Sequence, residues 1–365
     1  MTDLFSDALD TPGKSLQEQV EAFRAQCKIN EKQKKRSGRR LYARLKRGSK
    51  NKLLLRQFLM AFNTYDTDYN YIRYSGDAAR HASSFRAAMT MRTRRLKTQG
   101  AQSCPEWVLW DKPKGAQFAQ MLGLRVAQQY GSHDRGALRF EPGTVIKPVD
   151  GSQSQGVYLL FSEDHICDVY KNEVFSGYDA LADRIDVDQQ DGRVPRDRWI
   201  IEELMSNRDD PSGTAVDWKF LTCYGEVIVI ALMRRFPKDE QVWFSPEGNK
   251  DILGFSLPSH SLDVPEIPAG YLELAKKISL EIPAPFVRVD LLQTDQGPAL
   301  GEFTARTQFW YRFGRQLDIT LGDAFIAAEV RLQQDLLNGK DFSIWKEFTA
   351  TLSGADENNP TGEKA

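Results

Sequence analysis

The chain has 365 residues, with 49 Lys and Arg against 50 Asp and Glu, 41% hydrophobic residues and four cysteines. These proportions exclude a wholly disordered chain, and the length exceeds what one small core needs, so two packed lobes with an appendage are expected. The longest apolar run, Val227 to Met233, is strand-sized and excludes a run of the roughly 20 residues that a membrane helix needs. Cys27, Cys104, Cys167 and Cys223 lie far apart, which argues against a disulfide framework or a zinc site. The acidic start, Met1 to Asp7, lacks the basic-then-apolar order of a signal peptide, and a cytoplasmic protein is expected.

In chain order, residues 15–100 read as mostly helical, with apolar spacing at Leu16, Val20 and Phe23, at Leu41 and Leu45, and at Leu55, Leu59 and Phe62. An aromatic polar stretch, Tyr65 to Tyr71, interrupts them, and an Arg-rich helix follows around Ala78 to Leu96. From Lys28 to Lys50, eleven Lys and Arg face only Glu31, a net of +10 that leaves −11 elsewhere. Such a run suits nucleic acid, an anionic membrane face or an acidic glycan; a solvated helical face whose arginines pair with acids explains it equally well.

The strand Val145-Ile146-Lys147-Pro148 carries one lysine into the loop Asp150-Gly151-Ser152-Gln153-Ser154-Gln155-Gly156, and Val157 to Phe161 reads as the return strand. Strand, Gly/Ser loop and strand make a hairpin, not the strand–loop–helix of a Walker motif. Small residues let backbone N–H groups approach a triphosphate, with Lys147 as a point charge beside them; an exposed turn with a snorkelling lysine is the alternative.

Trp199 to Met205 is a buried strand ending in Glu202 and Glu203, a hinge where the backbone at Glu203 and Leu204 offers bonds to an adenine edge. Asp217-Trp218-Lys219-Phe220 alternates, which sets Asp217 and Lys219 on one face as ribose and phosphate groups or as a simple ion pair. Arg234 and Arg235 end the next strand, suited to an anionic substrate or to the strand's exit into solvent.

The most informative stretch is Phe286-Val287-Arg288-Val289-Asp290-Leu291-Leu292, a short turn, and Ala299-Leu300-Gly301-Glu302-Phe303-Thr304. A turn centred on Gln296 sets Asp290 opposite Glu302 and Arg288 opposite Thr304, with Val287, Val289, Leu291 and Phe303 on the other face. Facing carboxylates repel, and a divalent cation relieves them; oxygen ligands without histidine favour Mg²⁺ or Mn²⁺. The alternative is a ladder in which Arg288 satisfies both acids. A bulge at Gly301 would shift the register. Four histidines and no Gly-x-Ser-x-Gly elbow give a serine hydrolase no support, and no Gly-x-Gly-x-x-Gly fingerprint occurs.

The order of these pieces, from Asp111-Lys112 to Gly301-Glu302-Phe303-Thr304, resembles the ATP-grasp superfamily, and within it the TupA-like branch associated with teichuronopeptide and polysaccharide biosynthesis. The resemblance spans about Trp107 to Leu337. It implies an α+β fold, the ATP-grasp fold of two α+β lobes gripping ATP, preceded by a basic, mostly helical N-terminal region. The expected division is 1–105 for that region, 106–200 for a pre-grasp element and N-lobe, 201–350 for the C-lobe and 351–365 for a loose tail.

By the resemblance, Lys112 and Lys147 bind ATP phosphates, and Gly151, Ser152, Gln153, Ser154 and Gly156 form a mobile flap. Glu202, Glu203 and Leu204 match the adenine hinge, Asp217 the ribose acid, and Lys219 a group near phosphate or acceptor. Asp290 and Glu302 match Mg²⁺ ligands, with Thr304 where many ligases of the superfamily carry Asn. Arg288 matches the transition-state arginine, and Arg306 a ligand for acceptor carboxylate. The implied activity is ATP-dependent joining of a carboxylate to an amine through an acyl phosphate, with an amino acid and a glycan uronate or other biosynthetic acid as partners. Phosphotransfer to a hydroxyl and nucleotide-regulated polyanion binding are the alternatives.

Overall fold

The computed structural model describes residues 15–45, 83–149, 154–207, 209, 213–234, 236, 240–250, 252–254, 260–307 and 309–357. The chain forms two compact units, Met1–Ser84 and Phe85–Ala365. In the first, helix α1 (Leu16–Leu45) opens on a reciprocal cap. The Glu18 amide donates to the Ser15 hydroxyl at 3.3 Å and the Ser15 amide to the Glu18 carboxylate at 2.8 Å. Lys28, Lys32, Lys34, Arg36 and Arg40 are exposed along it. The expected helix around Leu55 to Phe62 and the Tyr65–Tyr71 stretch lie outside the described residues.

The second unit begins with α2 (Phe85–Gln99), α3 (Pro105–Leu109) and α4 (Lys112–Met121). Reading to residue 105 as one basic appendage differs from the structure at α2, which belongs to the second unit. Phe85 and Met89 are buried there, and Arg92 is buried against Glu106 of α3, its Nε donating at 2.7 Å. A charge-rich helix thus joins a core because its one inward arginine has a buried acid to meet.

Strands follow in two sheets. The smaller comprises β2 (Gln129–His133), β3 (Thr144–Pro148), β4 (Tyr158–Ser162), β5 (His165–Asp168), β6 (Glu173–Phe175) and β7 (Trp199–Glu203), in the order β2-β7-β3-β4-β5-β6. Helix α5 (Tyr178–Gln190) sends Leu181 and Ile185 into its core beside Ile146, Tyr158, Leu160, Ile166, Trp199 and Ile201.

The larger sheet holds β1 (Arg125–Val126), β8 (Val216–Cys223), β9 (Glu226–Arg234), β10 (Glu240–Phe244), β11 (His260–Ser261), β12 (Val287–Thr294) and β13 (Gly297–Thr304), ordered β1-β13-β12-β8-β9-β10-β11. Its pairs are antiparallel except β1 with β13 and β10 with β11. Both faces are covered, which is why the central strands read as nearly continuous apolar runs. Trp218, Phe220, Ile230, Val289 and Phe303 pack with α4, α6 (Tyr271–Leu280) and α8 (Ser343–Glu357). Leu221, Val229, Ala231 and Phe286 pack with α2 and α7 (Arg315–Leu337) through Phe85, Leu317, Leu321 and Phe325.

Helix α8 continues through residues 353–357, where a loose tail is expected, passing Gly354 and ending before Pro360; 358–365 lie outside the described residues. Among the described residues no helix is long and apolar enough to cross a membrane.

Candidate functional site

The site is built on the interior of the larger sheet, where β8, β12 and β13 run side by side. Register places Lys219, Asp290 and Glu302 in one row across the three strands, with Arg288 paired to Thr304 two residues away. The expected pairing of the acids holds, but not for the expected reason. The turn residues are Asp295 and Gln296, since Thr294 pairs with Gly297, half a residue before the expected centre. Leu291 pairs with Leu300, so Gly301 is the extra residue of a bulge that restores Asp290 to Glu302.

Asp290 is fully enclosed and accepts three charge-assisted bonds: Arg288 Nε at 2.6 Å, Arg288 Nη2 at 2.6 Å and Lys219 Nζ at 2.5 Å. Arg288 Nη2 also donates to Glu302 Oε1 at 2.8 Å, and Lys219 Nζ lies 2.6 Å from Asp217 Oδ2. Arg288 therefore satisfies both acids, as the ladder alternative foresaw, and Lys219 joins it from the neighbouring strand. Burial pushes the Asp290 carboxyl up, but the charges of Arg288 and Lys219 and their hydrogen bonds outweigh it, and its pKa lies below the ordinary carboxylate value. Burial pulls Arg288 down, and Asp290 and Glu302 more than reverse that, leaving it above its ordinary value. Both groups are ionised at neutral pH. Thr304 is buried, its hydroxyl 3.4 Å from Glu302 Oε1.

Beside this row opens a chamber of about 540 Å³, lined by Lys112, Lys147, Ser154, Glu202, Asp217, Lys219, Asp290 and Glu302 among others. Lys112 stands in the first turn of α4, which Asp111 caps by accepting from the Lys114 amide at 3.1 Å. A second, more apolar cavity of about 310 Å³ adjoins it, lined by Val145, Leu159, Leu204, Met205, Ala215, Met233 and Phe236. The two share Lys147, Ser154, Val157, Glu202, Asp217 and Leu292 as walls, so they form one cleft with an apolar slot and a charged chamber.

At the hinge the backbone donors are engaged within the protein. The Glu203 amide donates to Gln128 O and the Leu204 amide to Gly143 O, each at 2.8 Å, so both backbone donors are spent within the protein. The Glu203 carboxylate is ion-paired to Arg125, and Glu202 is ion-paired to Lys147. Glu202 thus neutralises Lys147, a contact hidden in sequence because the two lie 55 residues apart. Of the flap, Asp150, Gly151, Ser152 and Gln153 lie outside the described residues. Gly156 adopts φ +68°, and a Cβ there would lie 2.7 Å from Val194 Cγ2, so this position accepts only glycine without strain.

Arg306 lies apart from the acid row. Its guanidinium carbon sits 5.5 Å from the Trp107 ring and 5.2 Å from Trp110, two indoles in edge contact at 4.7 Å. Trp110 lines the charged chamber. Trp110 and Arg125 escaped the sequence reading, although Trp110 directly precedes the Asp111-Lys112 element that did signal the site.

Among the described residues no three acids, histidines or cysteines are grouped to hold a metal. The donor set nevertheless fits a Mg²⁺ that arrives with phosphate oxygens, because that ion uses few carboxylates. Asp290 and Glu302 face one another at the chamber wall, and the buried Asp217 Oδ1 has no hydrogen-bond partner.

No protein of curated function matches the chain. Solved structures that resemble it include the D-alanine–D-alanine ligase of Bacillus anthracis complexed with ATP, at 14% identity over 63% of this chain and 68% of that one, with a TM-score of 0.37. The ATP-grasp ligase PsnB complexed with a minimal precursor matches at 16% identity over 67% of this chain and 73% of that one, TM-score 0.36. D-cycloserine synthetase DcsG matches at 17% identity over 68% and 80%, TM-score 0.37. The family model for TupA-like ATP-grasp proteins matches residues 92–326, well over half of the chain and all of the site above. The chain belongs to the TupA-like ATP-grasp family.

Proposed function

We propose that this protein is an ATP- and Mg²⁺-dependent carboxylate–amine ligase. The observation that supports it best is the single cleft in which an apolar slot opens onto a chamber walled by Lys112, Lys147, Lys219 and four carboxylates. Adenine fits the slot between Val145, Leu159 and Leu204 on one side and Met233 and Leu292 on the other; Asp217 is placed for ribose. Lys112 and Lys147 face the phosphates, and Ser154 and Gly156 belong to the flap that covers them.

In the reaction, a substrate carboxylate oxygen attacks the γ-phosphorus and ADP leaves. The amine then attacks the acyl carbon and inorganic phosphate leaves. Lys147, Lys219 and Arg288 offset the repulsion between carboxylate and triphosphate, and flap closure keeps water from the acyl phosphate. Asp290 and Glu302 would hold Mg²⁺ (or Mn²⁺), which supplies charge neutralisation of the phosphate oxygens when bound. Thr304, its hydroxyl 3.4 Å from Glu302 Oε1, stands beside that pair. On this reading the acid is a glycan uronate or another biosynthetic carboxylate, met in the cytoplasm. The exposed cations of α1 suit an acidic glycan better than the ligase chemistry itself needs.

The test supplies purified protein with ATP, Mg²⁺ and a panel of acidic sugars and amino acids, and measures ADP together with hydroxamate formed in hydroxylamine. ADP and hydroxamate appearing together support the reading, and both should fall in Lys147→Ala. ADP with a phosphorylated product and no hydroxamate would replace it by phosphotransfer.

A further inference from the structure

We infer that α1 is a docking face for an anionic lipid surface, along which it lies without spanning the bilayer. The inference stands apart from the ligase reading and concerns the first unit alone.

Between Arg24 and Arg40 the sequence holds eight Lys and Arg against a single acid, Glu31. Five of the eight, Arg24, Lys28, Lys32, Arg36 and Arg40, recur at every fourth position of α1, and all five are exposed. Each step advances about 6 Å along a helix axis and turns about 40° around it, so the five keep to one side over about 24 Å. None of them forms an ion pair among the described residues. The reading in which this charge is spent on neighbouring acids therefore fails for these five. The exposed acids of the helix, Glu18 and Glu21, stand before Arg24 at its N-terminal end.

Like charges four residues apart on a helix repel and weaken it. The ladder is thus a cost to the free helix, and an anionic surface laid along it removes that cost. No described residue of α1 is buried, and the cationic side is open to such a surface.

Charge alone suits a nucleic acid, an acidic glycan and a lipid headgroup layer equally, and Ile29 separates them. Helix period puts it in the same arc as Lys32, Arg36 and Arg40, and it is 50% exposed. Against a phosphodiester or uronate chain an isoleucine there has nothing to meet. On a bilayer the cations stay with the headgroup phosphates, while an apolar side chain among them enters the boundary with the acyl chains. The aliphatic stems of Lys and Arg follow it and keep their charged ends in the headgroup layer. Such attachment is reversible, because the attraction fades within a Debye length and one insertion signal does not anchor a protein permanently.

The test is flotation of the full-length protein with vesicles of phosphatidylcholine alone and of phosphatidylcholine with one-third phosphatidylglycerol, at low and high salt. Partitioning onto the anionic vesicles should be at least tenfold stronger, and high salt should abolish the difference. Each cation near an anionic leaflet contributes about fivefold, so the triple change Lys28→Gln, Lys32→Gln and Arg36→Gln should weaken partitioning roughly 100-fold. Lys28→Arg with Lys32→Arg, which keeps the charge, should bind as the parent does, and circular dichroism reports whether each variant keeps its helix. Ile29→Ser should weaken partitioning about three- to tenfold and leave retention on a cation-exchange resin unchanged. Equal partitioning onto both vesicles, no partitioning, or a helical triple variant that binds as the parent does would each overturn the inference. So would an Ile29→Ser variant that binds as the parent does, or tighter binding to duplex DNA or polygalacturonate than to the anionic vesicles.

Discussion

Asp290→Asn isolates the contribution of the buried charge row. Asparagine keeps the shape and removes the charge that Arg288 and Lys219 meet with three bonds of 2.5–2.6 Å. Breaking a buried ion pair by deleting one partner costs about 3–5 kcal/mol, because the remaining charge stays buried. Here Lys219 keeps Asp217 and Arg288 keeps Glu302, so the lower end, about 3 kcal/mol, applies. For a unit of this size that is a fall in Tm of roughly 6–12 °C, measured by calorimetry at pH 7. The pH dependence has a definite sign. The folded-state pKa of Asp290 is depressed, so its stabilisation is present above the ordinary carboxylate pKa and is lost as pH falls through the lower folded value. The gap between parent and variant should therefore narrow as the medium is acidified below about pH 4. Adding Lys219→Met to Asp290→Asn should cost less than the two changes summed, since it removes a cation that has lost a partner. An Asn variant as stable as the parent at pH 7, or strict additivity with Lys219→Met, would refute the reasoning.

Gly156→Ala should lower the urea midpoint by the equivalent of about 1–3 kcal/mol, through a methyl 2.7 Å from Val194 Cγ2 at φ +68°; Val194→Ala should return part of it, and no loss would mean the turn adapts. Lys147→Ala should weaken AMP-PNP binding roughly tenfold or more in calorimetry, with little change in Tm because its partner Glu202 lines the open chamber and can be rehydrated there. Burial pushes the Cys167 thiol up to about 11 and raises Cys223 further, so brief iodoacetamide treatment at pH 8 should modify Cys27 before Cys104, Cys167 and Cys223 by mass spectrometry. Tyr224→Phe should destabilise by about 1 kcal/mol, because the phenol donates to Asp335 Oδ2 at 2.6 Å and accepts from Lys340 at 3.1 Å.

The hairpins were legible because each is local. Period-two alternation from Val287 to Leu291 and at 217–220 set the faces correctly, and the strand ends lie within a residue or two of those expected. Which strands lie next to each other was not legible. Asp217 and Lys219 read as a pair on one strand, but nothing local says that β8 borders β12 and delivers Lys219 to Asp290, 71 residues away. The same blindness hid Lys147 against Glu202 and Arg306 over Trp107. A residue's charge is visible in sequence, whereas the partner that neutralises it is fixed by sheet order and helix packing. The helix at 85–99 shows the same limit: it read only as Arg-rich, and nothing local says that Arg92 is the residue that ties it inward.

The acid register adds a subtler case. The expected turn centre was half a residue late, and the bulge at Gly301 moved the upper strand by one residue in the compensating direction. Two departures from an ideal hairpin cancelled at Asp290 and Glu302, while below the bulge every pairing is offset by one from the ideal prediction. The bulge also has a consequence for charge. It inserts Gly301, a residue without a side chain, beside Glu302 on the chamber wall. With Arg288 behind the wall, four cations then face four carboxylates around the chamber, Lys112, Lys147, Lys219 and Arg288 against Glu202, Asp217, Asp290 and Glu302. A balanced chamber has little net field with which to draw in a polyanion, so phosphate must compete for lysines already engaged. Drawing Lys147 from Glu202, or Lys219 from Asp217 and Asp290, uncovers a carboxylate at each step. On the ligase reading, those uncovered acids are what makes a cation accompanying the nucleotide favourable in the chamber, and they tie the two ligands' affinities together.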